Sequence, residues 1–473
     1  MVDKACKERS ISLECFIDER FIMDAWIIQT GHRISPFGDP PSEAQFAMGT
    51  VGSAVKVALE KRGFTIRHID RDAPLPPFET HTIVLADHCY VSDKCLGDFL
   101  SLAFGSAEVL RLALANTPSS DYTRPTSSVV AHPFAAEGPA AKPSKSNETE
   151  QAATDYLAYD CFFIPNGHAP QATTAAGLLS TLQTEATAQI VTKRELGVEI
   201  RLPLLGNPED TRMIFPITST VACHVETWVH ILWLNHLAFG IRFMELARTH
   251  KLWALGCALR AFPPSLPRLM KASVYRGKNV EIHPSAYVEA SILGDGVKIG
   301  PRACVRNSIL GPGVEVADHA SVIACTMGEH SYITPKSFFV WSTAYPQAVI
   351  SNYKMQMSVV GKGAASSTWA GLIDAKFQGT IEIMKNGEKV STERQFLGSC
   401  LGHGAFVGAK ALLHPGRELP NGTYLTMRPD ELIQTIPDDL KPGIPVVRDG
   451  GTLITLEELK KRSEALNRQT EQN

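Results

Sequence analysis

The 473-residue chain is short of several things that would narrow its chemistry quickly. It has no surplus of one charge: 46 Lys and Arg face 49 Asp and Glu, a formal net charge of −3, so no overall basic field points to nucleic acid or membrane binding. Its ten cysteines contain no C-x-x-C pair, which argues against a zinc ribbon or a thioredoxin-like site and for packing thiols in a reducing, cytoplasmic setting. No uninterrupted apolar run approaches the ~18 residues of a membrane span. The most apolar stretch, 228–259, is broken by His230, Asn235, His236, Arg242, Glu245, Arg248, His250 and Lys251. The opening residues MVDKACKERSISLECF mix charge into every apolar stretch, so no signal peptide is expected.

What the chain does have is a repeat. VEIHPSAYVEASILGDG, VKIGPRACVRNSILGPG and VEVADHASVIACTMGEH follow one another from Val280, so that Ile282, Ile299, Val316 and Ile333 share a column. Val288, Val305 and Val322 form a second column, Leu293, Leu310 and Met327 a third, and Gly294, Gly311 and Gly328 a fourth. A unit this short cannot bury its own apolar face, so successive units must stack. An aliphatic residue about every sixth position, with Gly or Pro at the corners, describes a triangular prism of parallel strands. The pattern resembles the hexapeptide-repeat left-handed β-helix. A similar register returns at Leu401, Val407, Leu413, Leu419 and Leu425. Between the blocks, residues near 335–397 lack a clean hexad and are expected to form distorted coils with an excursion, including a hairpin over Thr380–Thr392 that turns at Asn386-Gly387.

The first half alternates strand and helix patterns from Asp24 to Leu112, the periodicity of an α/β domain with a mostly parallel sheet. Ligands of such sheets sit beyond the carboxyl ends of strands. Two segments occupy such places: Gly31-His32-Arg33-Ile34-Ser35-Pro36 after the first apolar run, and Asp87 after Ile83-Val84-Leu85-Ala86. Here the chain resembles the sugar-1-phosphate nucleotidyltransferases, in which a glycine- and arginine-bearing loop follows the first strand, an Asp ends a later one, and a left-handed β-helix often follows. The resemblance implies a nucleotidyltransferase-like domain over 1–265 followed by a left-handed β-helix over 277–437, while the Ser-, Pro-, Ala- and Thr-rich composition near 117–151 predicts a disordered loop and the charged end of the tail over 438–473 predicts a short helix. It also implies that Gly31 and Arg33 meet phosphate, that Asp87 holds Mg²⁺ and serves catalysis, and that the substrate is a sugar phosphate or nucleotide.

Two other functions remain open. Many β-helix proteins are acyltransferases, and His403, in Leu-Gly-His-Gly, would then be a general base acting on an acyl group carried by coenzyme A or a carrier protein. The chain could instead be a non-catalytic assembly scaffold. Trp341 and Trp369, within the interrupted region, could stack on a sugar or base, or seal the open side of the prism. Prisms of this kind commonly trimerise side by side, so a homo-oligomer is expected, with the trimer favoured.

Overall fold

A computed structural model describes residues 23–134, 155–168, 170–201 and 212–470. Strand β1 (Met23–Gln29) is buried on both faces, as a central parallel strand must be. It lies between two parallel neighbours, β2 (Phe64–Asp70) and β3 (Thr82–Ala86). The strands β4 (Cys89–Val91), β5 (Leu110–Ala115), β6 (Ala131–Pro133), β7 (Asp155–Ile164) and β8 (Thr187–Val191) follow. The main sheet runs β8-β5-β7-β3-β1-β2, with β6 attached to β7. Within it β7 is antiparallel to both β3 and β5.

Helices cover both faces. On one side Trp26, Ile28, Val84 and Phe162 pack against Leu178 and Leu182 of α4 (Ala175–Glu185). The other side packs on α1 (Val51–Glu60), α2 (Asp93–Ala103) and α5 (Trp228–Thr249). The segment expected as a loop near 117–151 has structure in its first part, with a short helix α3 (Pro118–Thr123) before β6. Glu195 fixes this helix by accepting from Ser119 N and the hydroxyls of Thr117 and Ser119. Residues 135–151 lie outside the described residues.

Helix α5 is buried all round from Trp228 to Ala238, which places it between layers and not on a surface. It shares one apolar core with the first sheet and with Ile292, Ile309, Met357 and Val359 of the second half. Its polar side chains are bonded internally. Asn235 accepts from Ala47 N and donates to Gln45 O, and His236 Nε2 donates to Trp341 O at 2.9 Å. The helical turn breaks at His250, and α6 (Lys251–Arg260) and α7 (Leu266–Ala272) lead to the second half.

That half is a stack of short parallel strands, consistent with a parallel β-helix. One face climbs from Val274–Arg276 through Ser291–Leu293 and Ile309–Leu310 to Glu418–Leu419, and a second from Glu281–Ile282 to Tyr424–Leu425. Ile299, Val316 and Ile333 stand in register, as do Leu293, Leu310 and Met327, and all six are buried in one interior cluster. Each such burial stabilises the stack by roughly 1.5–3 kcal/mol. The glycine column is a packing requirement: a Cβ on Gly294 would come within 2.7 Å of Pro312 N, and one on Gly328 within 2.5 Å of Pro346 N.

Coils continue through the interrupted region. Phe339 pairs with Met355, a step of 16 residues (355 − 339) in place of 17. Losing one residue shifts the phase, which hides the hexad in the sequence. The departure from the stack is confined to the segment between Leu372 and Leu397. It carries the expected hairpin, β10 (Glu382–Lys385) and β11 (Glu388–Ser391), with Asn386 and Gly387 both at positive φ, after the earlier β9 (Ala222–His224), which pairs with β4. The tail forms a hairpin, Val446–Asp449 with Thr452–Thr455, and the expected charged helix α8 (Leu456–Thr470), in which Lys461 pairs with Glu457 at 2.8 Å. Among the described residues no helix is long and apolar enough to cross a membrane.

Candidate functional site

The carboxyl edge of β3 opens into a cluster of charged side chains. Asp87, the residue after the strand, bonds through its N–H to Ile28 O, and its carboxylate accepts from Thr30 N (3.2 Å) and Thr30 Oγ (2.6 Å). His88 occupies the turn into β4, and the antiparallel pairing of β4 with β9 brings His224 beside it, with ring centroids 4.6 Å apart and nearly perpendicular. Asp160, midway along β7, donates its N–H to His224 Nε2 at 3.0 Å. Its carboxylate receives Arg111 at 2.8 Å and Gln183 at 3.0 Å, and lies 3.3 Å from His88 Nε2.

Glu226, two residues after β9, completes the group. It accepts from Ser128 N at 3.0 Å and from the Ser128 hydroxyl, and it pairs with Lys385 at 2.6 Å. Lys385 comes from β10, so the excursion of the β-helix reaches across and supplies a cation to the first half. His32, in the loop after β1, donates to Glu226 O at 2.7 Å.

The charges are tuned by this enclosure. Burial opposes ionisation of Asp160, but the close contact with His88 at 3.3 Å and the nearby His224 and Arg111 outweigh it and hold the carboxyl below its usual range. Burial likewise opposes the charged form of His88, yet Asp160 raises its pKa above the ordinary histidine value. For Glu226, burial is overcome by His224, His230 and Lys385, and the carboxyl is again held low. In His224 burial prevails and the ring favours its neutral form.

His88, His224 and Glu226 are the one group among the described residues whose ligand atoms stand close enough, within 4.8 Å of one another, to share a metal ion. Two imidazoles and a carboxylate suit a Zn²⁺-like ion better than Mg²⁺, which prefers oxygen ligands in octahedral array. Moreover, His224 Nε2 accepts a backbone N–H, so the neutral ring carries its proton on Nδ1, facing Ser128 and Glu226, and has no free lone pair to offer. Asp87 stands outside the trio, its Oδ1 engaged by Thr30. The donor set does not fit Mg²⁺.

No protein-family model and no curated protein matches the chain.

The other residues singled out from the sequence are dispersed. Gly31 has φ +77°, and Arg33 is exposed with no ion-pair partner among the described residues. The rest of that loop docks on the β-helix. Phe37 stacks on His403, with centroids 4.8 Å apart, and accepts at its carbonyl from Asn421, while Ser35 donates to Glu418. His403 Nδ1 accepts from Lys362 N at 2.9 Å, and its Nε2 donates to Asp39 at 2.8 Å, so both ring nitrogens are engaged. Trp341 packs against the core shared with α5, at a corner with φ +44°. Trp369 is 73% exposed. Asp160, His224, Glu226 and Lys385 were not singled out from the sequence. A carboxylate inside the apolar run LAYDCFFI was the available signal, because a buried charge requires partners.

Proposed function

We propose that the chain is a sugar-phosphate or sugar-nucleotide transferase of the nucleotidyltransferase type, acting at the carboxyl edge of its first sheet. The observation that carries this reading is the convergence there of Asp87 and His88 from the β3–β4 turn, Asp160 from β7, and His224 and Glu226 from the end of β9, joined by Lys385 from the β-helix hairpin. Such clusters of perturbed groups at strand ends are where α/β proteins place their chemistry.

In the transfer, an oxygen of a sugar phosphate attacks the α-phosphorus of a nucleoside triphosphate. The new P–O bond forms as the bond to pyrophosphate breaks, and pyrophosphate leaves with the electron pair. Lys385, and His88 when it carries its second proton, meet the phosphoryl charge, and Arg33 at the exposed loop meets the outer phosphates. Acceleration comes from positioning and charge neutralisation. No step is routed through a protein-held Mg²⁺.

The test is pyrophosphate release by the full chain with nucleoside triphosphates and a panel of sugar phosphates, together with nucleotide-induced thermal shifts. His88→Ala and Lys385→Met should each lower turnover by roughly 10²-fold. Absence of both pyrophosphate and any nucleotide-induced shift would remove the proposal.

A second reading, an assembly scaffold, is favoured by the docking of loop 34–39 on His403, Tyr345 and Asn421, which ties the would-be phosphate loop to the β-helix. It predicts unchanged behaviour in a His88→Ala/Lys385→Met double variant. Acyl transfer draws no support from His403, whose two nitrogens are occupied. The left-handed winding, the division at 265 and 277, trimeric assembly and a cytoplasmic location belong to the same proposal. Light scattering checks the trimer.

A further inference from the structure

The chain as a whole is slightly acidic, but its charge is unevenly placed. Between Glu245 and Glu281 there is no Asp or Glu, while Arg248, Lys251, Arg260, Arg268, Lys271, Arg276 and Lys278 all lie there. With a net charge of −3 overall, the remainder therefore carries −10 (−3 minus +7). The basic segment contains α6 and α7, the helices between the two halves. Among the described residues no carboxylate pairs with Lys251, Arg260, Arg268, Lys271, Arg276 or Lys278, and all six are exposed.

The same helix bares its apolar side chains. Leu252, Leu255 and Leu259 are 86%, 57% and 69% exposed, and Phe262 just beyond the helix is 78% exposed. Their spacing, i, i+3, i+7 and i+10, puts them on one side of α6. Only Cys257 of that helix is buried. Between α6, α7 and the strand that follows them is a cavity of about 350 Å³ lined by Trp253, Arg260, Lys271, Tyr275 and Arg276, among others, with no acidic residue in its wall.

We infer that α6 and α7 form a docking face for an anionic lipid bilayer. The leucines and Phe262 enter the boundary between headgroups and acyl chains, the unpaired cations meet lipid phosphates, and the cavity receives one headgroup phosphate between Arg260, Lys271 and Arg276. A helix with a projecting apolar stripe and basic flanks has the form of an interfacial helix, and Trp and Tyr rings belong at headgroup depth. Charge complementarity selects the surface. A second copy would bring cations against cations, and a protein partner would need a groove to receive a convex row of leucines, whereas a bilayer yields to it.

Flotation of the full chain with vesicles tests the inference. The chain should float with vesicles of phosphatidylcholine plus phosphatidylserine, stay behind with phosphatidylcholine alone, and be released by high salt. Replacing two cations, Arg260→Ser/Lys271→Ser, should weaken binding by roughly thirtyfold, at about fivefold for each cation near the surface. Leu255→Asp/Leu259→Asp should abolish binding, with the melting temperature of both variants unchanged. The inference falls if phosphatidylserine vesicles do not capture the chain at low salt, if neutral vesicles capture it equally, or if neither variant alters binding. It also falls if the variants instead dissolve a wild-type oligomer or release an acidic polypeptide while vesicle binding persists. Should the leucine variant misfold, the cation pair, which lies wholly at the surface, decides the matter.

Discussion

Burying an imidazole costs a protein the charged form of that ring, and His230 and His236 show the consequence. His230 Nδ1 accepts the N–H groups of Glu226 and Thr227 while Nε2 donates to Pro125 O. His236 is held between the Tyr122 hydroxyl and Trp341 O. Burial pulls each pKa down to about 4. Since the unfolded rings bind protons near pH 6.5, the unfolded chain takes up more protons between pH ~6.5 and about 4. Stability is therefore full above that window and falls through it, by ~3 kcal/mol for each ring. Urea titrations at several pH values should show this loss, and His236→Phe should be less stable at neutral pH yet lose less on acidification. A profile unchanged by that substitution would contradict the assignment. At this scale the sequence spoke unevenly. Asp87 was visible because a polar residue closes an apolar strand, but His224 and Glu226 gain their place only through the pairing of β9 with β4, a contact between residues far apart in the chain.

Among the elements, the coils were the most legible, because a column of aliphatic residues at a fixed step has no other place to go than inside. The 16-residue coil was hidden by a single missing residue, and the long all-round burial of α5 was masked by its histidines and Asn235, whose partners lie on distant segments. The glycine column gives a direct test. Gly328→Ala would press a Cβ onto the backbone at Pro346 and should lower unfolding free energy by ~1–3 kcal/mol. Gly105, with open space around its Cβ position, is the control and should tolerate Ala within ~0.5 kcal/mol. Equal effects at both sites would show that the coil spacing is more yielding than the geometry implies. The hairpin β10–β11 is the other informative element. Its turn chemistry was plain in Asn386-Gly387, but nothing local announced that Lys385 would reach Glu226.

For the molecule as a whole, the decisive feature is that α5 belongs to one apolar core with both halves. Melting either half alone would expose that helix on one side. Calorimetry should accordingly show the first sheet and the coil stack unfolding in a single transition, and two well-separated endotherms would refute the coupling. The Arg124–Glu393 and Glu226–Lys385 bridges add ties across the same boundary. The cationic stretch around α6 and α7 has a consequence of its own for handling the protein. A molecule with an isoelectric point near 6.6 would ordinarily pass through a negatively charged resin at neutral pH. This one should be retained, turning its basic side to the beads and its acidic remainder to the buffer, so that its chromatography reports a lopsided dipole that its titration curve does not reveal.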